Sequence, residues 1–293
     1  MKRWLKYASV LLGFVLSGER VSFAAENETK AATFAEQFQS IQKQFGETAY
    51  AYLNTNDAER KQISVRLDKL TLACLELAEK NPDDPQALDA LVQVVSQEYW
   101  LENYSLHPDF GKDDPQAKAI ELMLQHHLQS DKLGYACRLV QFCFRQECET
   151  FLRTVLEKSP HRDVQGTACL RLAQFLVNRR EKIDLLKDQP ELASRYEGLY
   201  GKDYIDRLRR QDRAEVIKEA ESFCERADKE FGDLKVLYAG TVSEQVKTEL
   251  FEIRNLSVGK TAPEIASEDQ DGKSFKLSDY RGKIVLLYFW SEF

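Results

Sequence analysis

Apolar residues recur every three or four positions along most of this chain, which is the spacing that places them on one face of an α-helix. The pattern is clearest between residues 58 and 80, where the repeating positions are Ile63, Leu67, Leu70, Cys74 and Leu77. Comparable stripes follow as far as residue 256. The pattern predicts a mainly α protein with a helical domain over residues 34–256, preceded by a polar, mobile segment at residues 25–33.

Glycine, proline and short polar side chains indicate where the predicted helices begin and end. A first helix is predicted from Phe34 to Phe45, ending at Gly46. Asp114 is a predicted N-cap, and Pro115 follows it at the first helical position, where its missing N–H removes no hydrogen bond. The longest predicted helix covers residues 204–231.

The helical part contains a weak internal repeat. Two predicted helices end in related sequences, Ala78-Glu-Lys-Asn-Pro82 and Leu156-Glu-Lys-Ser-Pro160, at an offset of 78 residues. That offset is about the length of two helix pairs in a repeat array. The domain resembles a tetratricopeptide-like array, and an irregular helical bundle is the alternative. Because helical arrays commonly bind peptides or proteins on a concave face, a protein partner on this domain is predicted.

The first 24 residues have the features of a secretory signal peptide. Lys2, Arg3 and Lys6 form a basic start, an apolar stretch covers residues 7–16, and cleavage is predicted after Ala24. The apolar stretch is shorter than a membrane-spanning helix requires. We expect an exported protein of the bacterial periplasm or cell envelope, soluble and without a membrane partner after cleavage. Cleavage removes four basic residues and one acidic residue, which takes the formal net charge from −7 to −10.

The composition and motifs disfavour several classes of function. An acidic chain without a basic stripe is unsuited to nucleic-acid binding, so no nucleic-acid partner is expected. The sequence has no glycine-rich phosphate loop and no serine nucleophile motif, and we assign no cofactor and no catalytic residue. His126 and His127 are neighbours on a predicted helix and point about 100° apart. One is therefore expected in the core and one in solvent, and no metal site is predicted.

Six cysteines are spread through the helical domain. Four of them lie on predicted apolar stripes and are expected to be small buried residues; these are Cys74, Cys137, Cys169 and Cys224. Cys143 and Cys148 flank a predicted helix junction and could form a local disulfide. Because six cysteines allow 15 complete pairings, the sequence alone selects none of them.

The helical pattern ends near residue 257. Residues 264–267 and 274–277 are short extended runs, and Asp271-Gly272 between them is a hairpin-turn dipeptide because glycine tolerates a positive φ. Ser278 and Gly282 are the predicted N-cap and stop of one short turn. The apolar run 284–290 then predicts a strand that is buried on both faces.

This order of elements resembles the opening of thioredoxin-like redoxin domains. That superfamily contains the envelope thiol–disulfide oxidoreductases and the alkyl hydroperoxide reductase/thiol-specific antioxidant proteins. The matching segments are Val258-Gly-Lys-Thr-Ala-Pro263, Asp271-Gly-Lys273, Leu277-Ser-Asp-Tyr-Arg-Gly-Lys283 and Val285-Leu-Leu-Tyr-Phe-Trp290. The structural signature positions within them are Gly259, Pro263, Asp271, Gly272, Gly282, Phe289 and Trp290. The resemblance identifies residues 257–293 as a partial redoxin domain.

The resemblance implies thiol–disulfide exchange by a Cys-x-x-Cys pair at the start of the helix that follows the Phe-Trp strand. No Cys-x-x-Cys occurs in the 293 residues. We expect the sequence to stop just before that motif, so that this chain by itself is inactive. Phe289-Trp290 is typical of the disulfide-exchange branch, and a peroxiredoxin-type antioxidant enzyme is an alternative. A helical protein-binding scaffold with a vestigial redoxin tail is a second alternative.

Overall fold

In the computed structural model, residues 32–100 and 114–288 are described, except for positions 142, 144, 237, 238 and 258. These residues form eleven α-helices, a two-stranded β-hairpin and a 3₁₀ turn. The helices are α1 (Phe34–Leu53), α2 (Asp57–Lys80), α3 (Ala87–Trp100), α4 (Pro115–His126), α5 (Leu133–Val140), α6 (Gln146–Lys158), α7 (Arg162–Asp188), α8 (Pro190–Tyr200), α9 (Lys202–Arg210), α10 (Arg213–Phe231) and α11 (Val242–Asn255). The strands are β1 (Ala266–Glu268) and β2 (Ser274–Lys276), and the 3₁₀ turn is Leu277–Tyr280. The predicted fold class, mainly α with a hairpin near the C-terminal end, is confirmed.

The helices pack in two rows. In one row, α3 contacts α5, α5 contacts α7, and α7 contacts α11. In the other row, α2 contacts α4 and α4 contacts α6. The helices α8 and α9 form an extra pair that packs on α7, and α10 packs mainly on α7 and then on α11. This arrangement makes α7 the central helix of the described core. None of the described helices combines the length and apolar character that a membrane span requires.

The first helix is longer than predicted. α1 continues through Gly46 to Leu53, whereas the sequence predicted that it would end at Gly46. Phe38, Phe45 and Tyr52 are buried at intervals of seven residues along it, on both sides of the glycine. A glycine inside a helix costs about 1 kcal/mol relative to alanine. Burying a large aromatic side chain stabilises the helix by more than that, so the packing overrides the local signal.

The predicted helix over residues 204–231 is two helices. α9 ends at Arg210, Gln211 is extended (φ −63°, ψ 139°), and α10 begins at Arg213. The Asp212 side chain accepts a hydrogen bond from the N–H of Ala214 at 2.7 Å and caps the second helix. The aspartate cap satisfies an N–H that a continuous helix would have bonded to its own backbone. In this chain the capped break forms instead of the continuous helix.

The predicted cap at Asp114 is confirmed. Its Oδ1 accepts hydrogen bonds from the N–H groups of Gln116 (2.8 Å) and Ala117 (3.4 Å). Its Oδ2 pairs with the guanidinium of Arg145, which is buried, while Asp114 is partly buried. The Nε of Arg145 also donates to Oε1 of Gln116 at 2.9 Å. One aspartate therefore caps α4 and also ties it to the start of α6.

Candidate functional site: the C-terminal hairpin

The β1–β2 hairpin is the framework of residues 259–288. Its antiparallel register places Ser267 opposite Phe275. Beyond the ladder, the N–H of Leu277 donates to the carbonyl oxygen of Ile265 at 2.8 Å. The predicted pair of extended runs is therefore confirmed.

The turn between the strands depends on Asp269, which the sequence analysis did not single out. Its Oδ1 accepts hydrogen bonds from the N–H groups of Asp271 (3.0 Å) and Lys273 (2.9 Å). Its carbonyl oxygen accepts from the N–H of Gly272 at 3.0 Å. Gly272 has φ 77°, in the left-handed region that glycine adopts without strain. The signal for this role was an aspartate two residues before Asp271, which is the spacing of a side chain that bonds its own turn.

The 3₁₀ turn after β2 is fastened by two carboxylates. Oε1 of Glu264 accepts from the N–H of Ser278 at 3.0 Å, and Oδ2 of Asp279 accepts from the N–H of Lys276 at 2.9 Å. Hydrogen bonds from Ser278 lower the pKa of Glu264 below its ordinary value because they favour the charged carboxylate. Ser278 lies inside the turn, not at its N-cap as predicted. Gly282 has the predicted left-handed conformation, with φ 81°, and lies two residues beyond the end of the turn at Tyr280.

The apolar run after the turn alternates between half-exposed and almost fully exposed positions. The exposed fractions of the first, third and fifth residues, Ile284, Leu286 and Tyr288, are 104%, 91% and 76%. Val285 and Leu287 are 43% and 48% exposed. A period of two is that of an extended strand. The sequence predicted burial on both faces, and residues 284–288 are instead partly covered on one side and exposed on the other.

The covered side faces a small apolar cavity against the hairpin. Its volume is about 170 Å³, and its lining residues are Ile265, Phe275, Leu277, Tyr280, Val285 and Leu287. No ladder hydrogen bonds join residues 284–288 to another strand in the described part of the chain. A strand acquires a buried second face only when another layer packs on it. The difference from the prediction therefore follows from the lack of such a layer among the described residues.

Residues 258–293 match the AhpC/TSA family. This match places the C-terminal segment in the thioredoxin-like redoxin family. It covers the last 36 of the 293 residues. Neither the curated proteins nor the solved structures gave a match to this chain.

The signature positions of the redoxin segment shape its backbone. Gly259 has φ 87°, so together with Gly272 and Gly282 it supplies the left-handed positions of the segment. Pro263 precedes β1, and Asp271 lies in the hairpin turn. Phe289 and Trp290 lie outside the described residues. Residues 258–293 contain no cysteine.

The cysteines lie in the helical part, and all six are buried. Burial raises the pKa of four thiols to about 12, those of Cys74, Cys137, Cys169 and Cys224. A thiol with such a pKa is protonated at neutral pH and is a poor nucleophile. The prediction that these four are small buried residues is confirmed.

The other candidate groups have the following positions. Cys143 and Cys148 are both buried thiols in the structure, and their local disulfide stays a prediction. His127 is buried, whereas Nδ1 of His126 lies 2.9 Å from Oδ1 of Asp83 near the surface. Within the described ranges, no three His, Cys, Asp or Glu side chains are placed to hold a metal ion.

Proposed function

We propose that this protein is related to the enzymes of thiol–disulfide exchange in the bacterial cell envelope. We also propose that residues 1–293 alone catalyse no exchange. The match of residues 258–293 to the AhpC/TSA family supports the first part. The state of the cysteines supports the second part: all six are buried and no two form a Cys-x-x-Cys pair. A redoxin needs an accessible thiolate, and these residues supply none.

In a redoxin with its cysteine pair, a thiolate at a helix N-terminus attacks a substrate disulfide and the second cysteine resolves the mixed disulfide. In this protein the redoxin segment supplies the hairpin, the 3₁₀ turn and the apolar run of residues 284–288. The exposed face of that run, formed by Ile284, Leu286 and Tyr288, is the surface on which a covering layer would pack. The segment is therefore a framework for the reaction and does not itself contain the reacting group.

A disulfide reductase assay tests the proposal. Purified protein is incubated with insulin and dithiothreitol, and the precipitation of reduced insulin is followed. The control is a variant in which all six cysteines are serine. We expect the two proteins to behave alike. Turnover by the natural chain above this control would overturn the claim that residues 1–293 are inactive.

The same two proteins test the peroxidase alternative. A peroxiredoxin-type enzyme would consume hydrogen peroxide in the presence of a thiol reductant. We expect no consumption above the cysteine-free control, because a peroxidatic cysteine must also be accessible and ionised. Consumption by the natural chain alone would favour the antioxidant branch over disulfide exchange.

The nucleotide sequence after the Phe293 codon also tests the proposed exchange function. The disulfide-exchange branch predicts a Cys-x-x-Cys within the next few codons, in one of the three frames. An isolated cysteine would favour the peroxidatic branch. A sequence without cysteine in all frames would contradict the proposed exchange function.

Export is the remaining part of the proposal, and N-terminal sequencing tests it. Residues 1–24 have the pattern of a signal peptide, and they lie outside the described residues. We expect the mature protein in the periplasmic fraction to begin at Ala25. A cytoplasmic protein that retains Met1 would contradict this placement.

A second candidate function is protein binding by the helical array, and a half-buried row of polar side chains favours it. α5, α7 and α11 lie side by side and are bridged by polar side chains. Arg171 donates to Oε1 of Gln141 at 3.2 Å, and Gln174 donates to Oε1 of Glu249 at 2.6 Å. A polar row across neighbouring helices is suited to hydrogen bonding with an extended peptide.

Peptide display on the full chain tests this second candidate. Peptides selected on the natural protein should bind an Arg171→Ala/Gln174→Ala variant at least about tenfold more weakly, which corresponds to about 1.4 kcal/mol. The matched control is Lys69→Ala, an exposed residue of α2, which should bind them unchanged. Equal binding by all three proteins would contradict a peptide site on this row.

A further inference from the structure

The contact between α7 and α10 is unusually close at one end. Gly166 of α7 is buried against α10, and a Cβ placed there would lie 2.9 Å from the Cβ of Phe231. The same atom would lie 2.5 Å from Cδ1 of Leu234. Real side chains do not approach so closely, so only glycine fits this position. The backbones of the two helices therefore approach each other more closely than larger side chains would permit.

Small residues continue along both helices from this point. On α7 the buried positions after Gly166 include Cys169 and Ala173, and on α10 they include Ala220, Cys224 and Ala227. Each set repeats at three or four residues and lies on one helix face. Because α10 packs mainly on α7, its buried stripe faces that helix. Cys169 and Cys224 therefore lie on facing stripes, and the neighbouring positions of both stripes hold small side chains.

The position of the Cys169 sulfur adds a specific contact between the two helices. Its Sγ lies 3.5 Å from the carbonyl oxygen of Phe223. That carbonyl carbon is bonded to the backbone nitrogen of Cys224, so only three covalent bonds separate the contacted oxygen from the Cα of Cys224. Both cysteines are completely buried. The neighbouring Glu249 and Cys169 add to the effect of burial on the pKa of Cys224.

In the structure Cys169 and Cys224 are both free thiols, and we propose that under oxidising conditions they form a disulfide that cross-links α7 to α10. A disulfide requires the two Cα atoms within about 7 Å, which close helix packing with small neighbours permits. The pair differs from the predicted Cys143–Cys148 bond, which would close a local loop. The Cys169–Cys224 bond would enclose the 54 intervening residues and would hold α8 and α9 within its loop.

The oxidant in this step is a second disulfide, such as oxidised glutathione. One cysteine loses its proton, and its thiolate attacks the reagent, forming a mixed disulfide and releasing one glutathione thiolate. The thiolate of the second cysteine then attacks the protein sulfur of that mixed disulfide and releases the other glutathione. The protein loses two electrons and two protons overall, and the oxidised glutathione becomes two reduced molecules.

The folded state restricts when this bond can form. Both thiols are buried and protonated at neutral pH, so a reagent reaches them only when α10 separates from α7. We therefore expect oxidation during folding to be complete and oxidation of the folded, reduced protein to be slow. Once formed, the bond should resist reductant for the same reason.

Oxidative refolding of the full chain tests the proposal. The reduced, unfolded protein is refolded with a mixture of reduced and oxidised glutathione, free thiols are alkylated, and the protein is digested with trypsin. Cleavage after arginine and lysine gives the peptides 163–171 and 219–226, each with one cysteine. We expect these two peptides joined, with a mass two hydrogens below their sum. A different joined pair, or six alkylated cysteines, would overturn the proposal.

Variants separate the cross-link from general folding defects. Cys169→Ser and Cys224→Ser should each abolish the joined peptide, and Cys169→Ala provides a second variant if the buried hydroxyl prevents folding. The matched control is Cys137→Ser, which is equally buried on α5 and should leave the joined peptide unchanged. The oxidised natural protein should melt roughly 5–10 °C above its reduced form, because the bond closes a long loop in the unfolded chain. Equal melting temperatures with the joined peptide present would show that the bond strains the fold and would contradict the geometry argued here.

Discussion

The helical part and the redoxin segment are stabilised in different ways. In the helical part, large side chains such as Phe151, Leu172 and Leu176 are completely buried. In the redoxin segment, both strands are largely exposed, and the apolar residues Ile284 and Leu286 are almost fully exposed. The hairpin is instead shaped by hydrogen bonds between residues close in sequence, such as those to Asp269.

This difference separates two sources of structural information. Local hydrogen bonds and left-handed glycines specify the path of the redoxin segment, but they do not bury its apolar surface. Burial of apolar surface is the main favourable contribution to folding, so the helical part should carry most of the stability. The segment contributes a preformed shape on which further packing could be built. Substitutions in the two regions should therefore have effects of different size.

The largest effect is expected in the helical core. Phe151→Ala should destabilise the protein by about 3–5 kcal/mol, because it removes a buried ring from α6 and leaves a cavity. The measurement is urea unfolding followed by far-ultraviolet circular dichroism. Leu286→Ala in the redoxin segment is the comparison and should change the unfolding free energy by less than about 0.5 kcal/mol. Similar losses for both variants would contradict the division of stability between the two regions.

A second large effect is expected at the partly buried ion pairs of Glu149. Its carboxylate pairs with Arg179 of α7 and accepts hydrogen bonds from Arg153 at 2.7 and 3.0 Å. Glu149→Ala would leave the buried Arg179 charge without this partner and should cost about 3–5 kcal/mol. The exposed pair of Glu76 and Lys80 on α2 is the control, and Glu76→Ala should leave the unfolding midpoint unchanged.

The ion pairs of the Glu149 carboxylate also lead us to expect that the protein is less stable in acid. Burial alone would raise the pKa of Glu149, but Arg179 and Arg153 outweigh burial and hold it below its ordinary value. The folded state therefore binds this proton less readily than the unfolded state. Its contribution is complete above the unfolded pKa of about 4.3 and is lost as the pH falls through the lower, folded pKa. Urea unfolding between pH 7 and pH 3 should show this loss, and Glu149→Gln should reduce its slope.

The outcomes show which features a sequence can specify. Periodicity predicted the helical character of residues 34–256, and Gly272 and Gly282 located turns, because these signals depend on neighbouring residues. Gly46 was wrongly predicted to end a helix, and the break at Asp212 was not predicted, because both depend on competition between helix propensity, packing and capping. The role of Glu264 in bonding Ser278 depends on a contact across 14 residues, which no local pattern reports. The placement of Cys169 opposite Cys224 follows from the packing of α7 on α10, which no local sequence pattern reports.

A smaller pH effect is expected from His127 at the end of α4. Its side chain is buried, and its Nε2 has no hydrogen-bond partner in the described structure. Burial lowers its pKa most, and the neighbouring His126 lowers it further, against opposing effects of Asp83, Pro82 and Asp84. The unfolded state thus binds a proton at higher pH than the folded state, so stability should fall as the pH drops below about 6.5.

A comparison of two histidine variants isolates this effect. His127→Gln removes the titration and should flatten the dependence of the melting temperature on pH between 7 and 5. His126→Gln removes the partner of Asp83 near the surface instead. This variant should still lose stability at low pH, because His127 is unchanged. If the natural protein melts at the same temperature at pH 5 and pH 7, buried His127 does not control this range.

The smallest effect on global stability is expected in residues 284–288, where alternation predicts opposite outcomes for neighbouring positions. Val285→Lys/Leu287→Lys places charges in the apolar cavity against the hairpin. The Leu277 amide, which is bonded to Ile265, should then exchange its hydrogen about tenfold faster or more. Ile284→Lys/Leu286→Lys alters the exposed side and should leave that exchange rate unchanged, while light scattering should show less self-association.

The two double variants add the same charge to the same short run, so a difference between them reports only which side faces the hairpin. Equal exchange rates would mean that the run does not pack on the hairpin, and the covered side would have no structural role. Faster exchange in the outer variant would mean that the exposed side is the one that stabilises the segment. The expected result, protection lost only from the inner pair, would make the redoxin segment a half-covered strand whose outer face is available for packing.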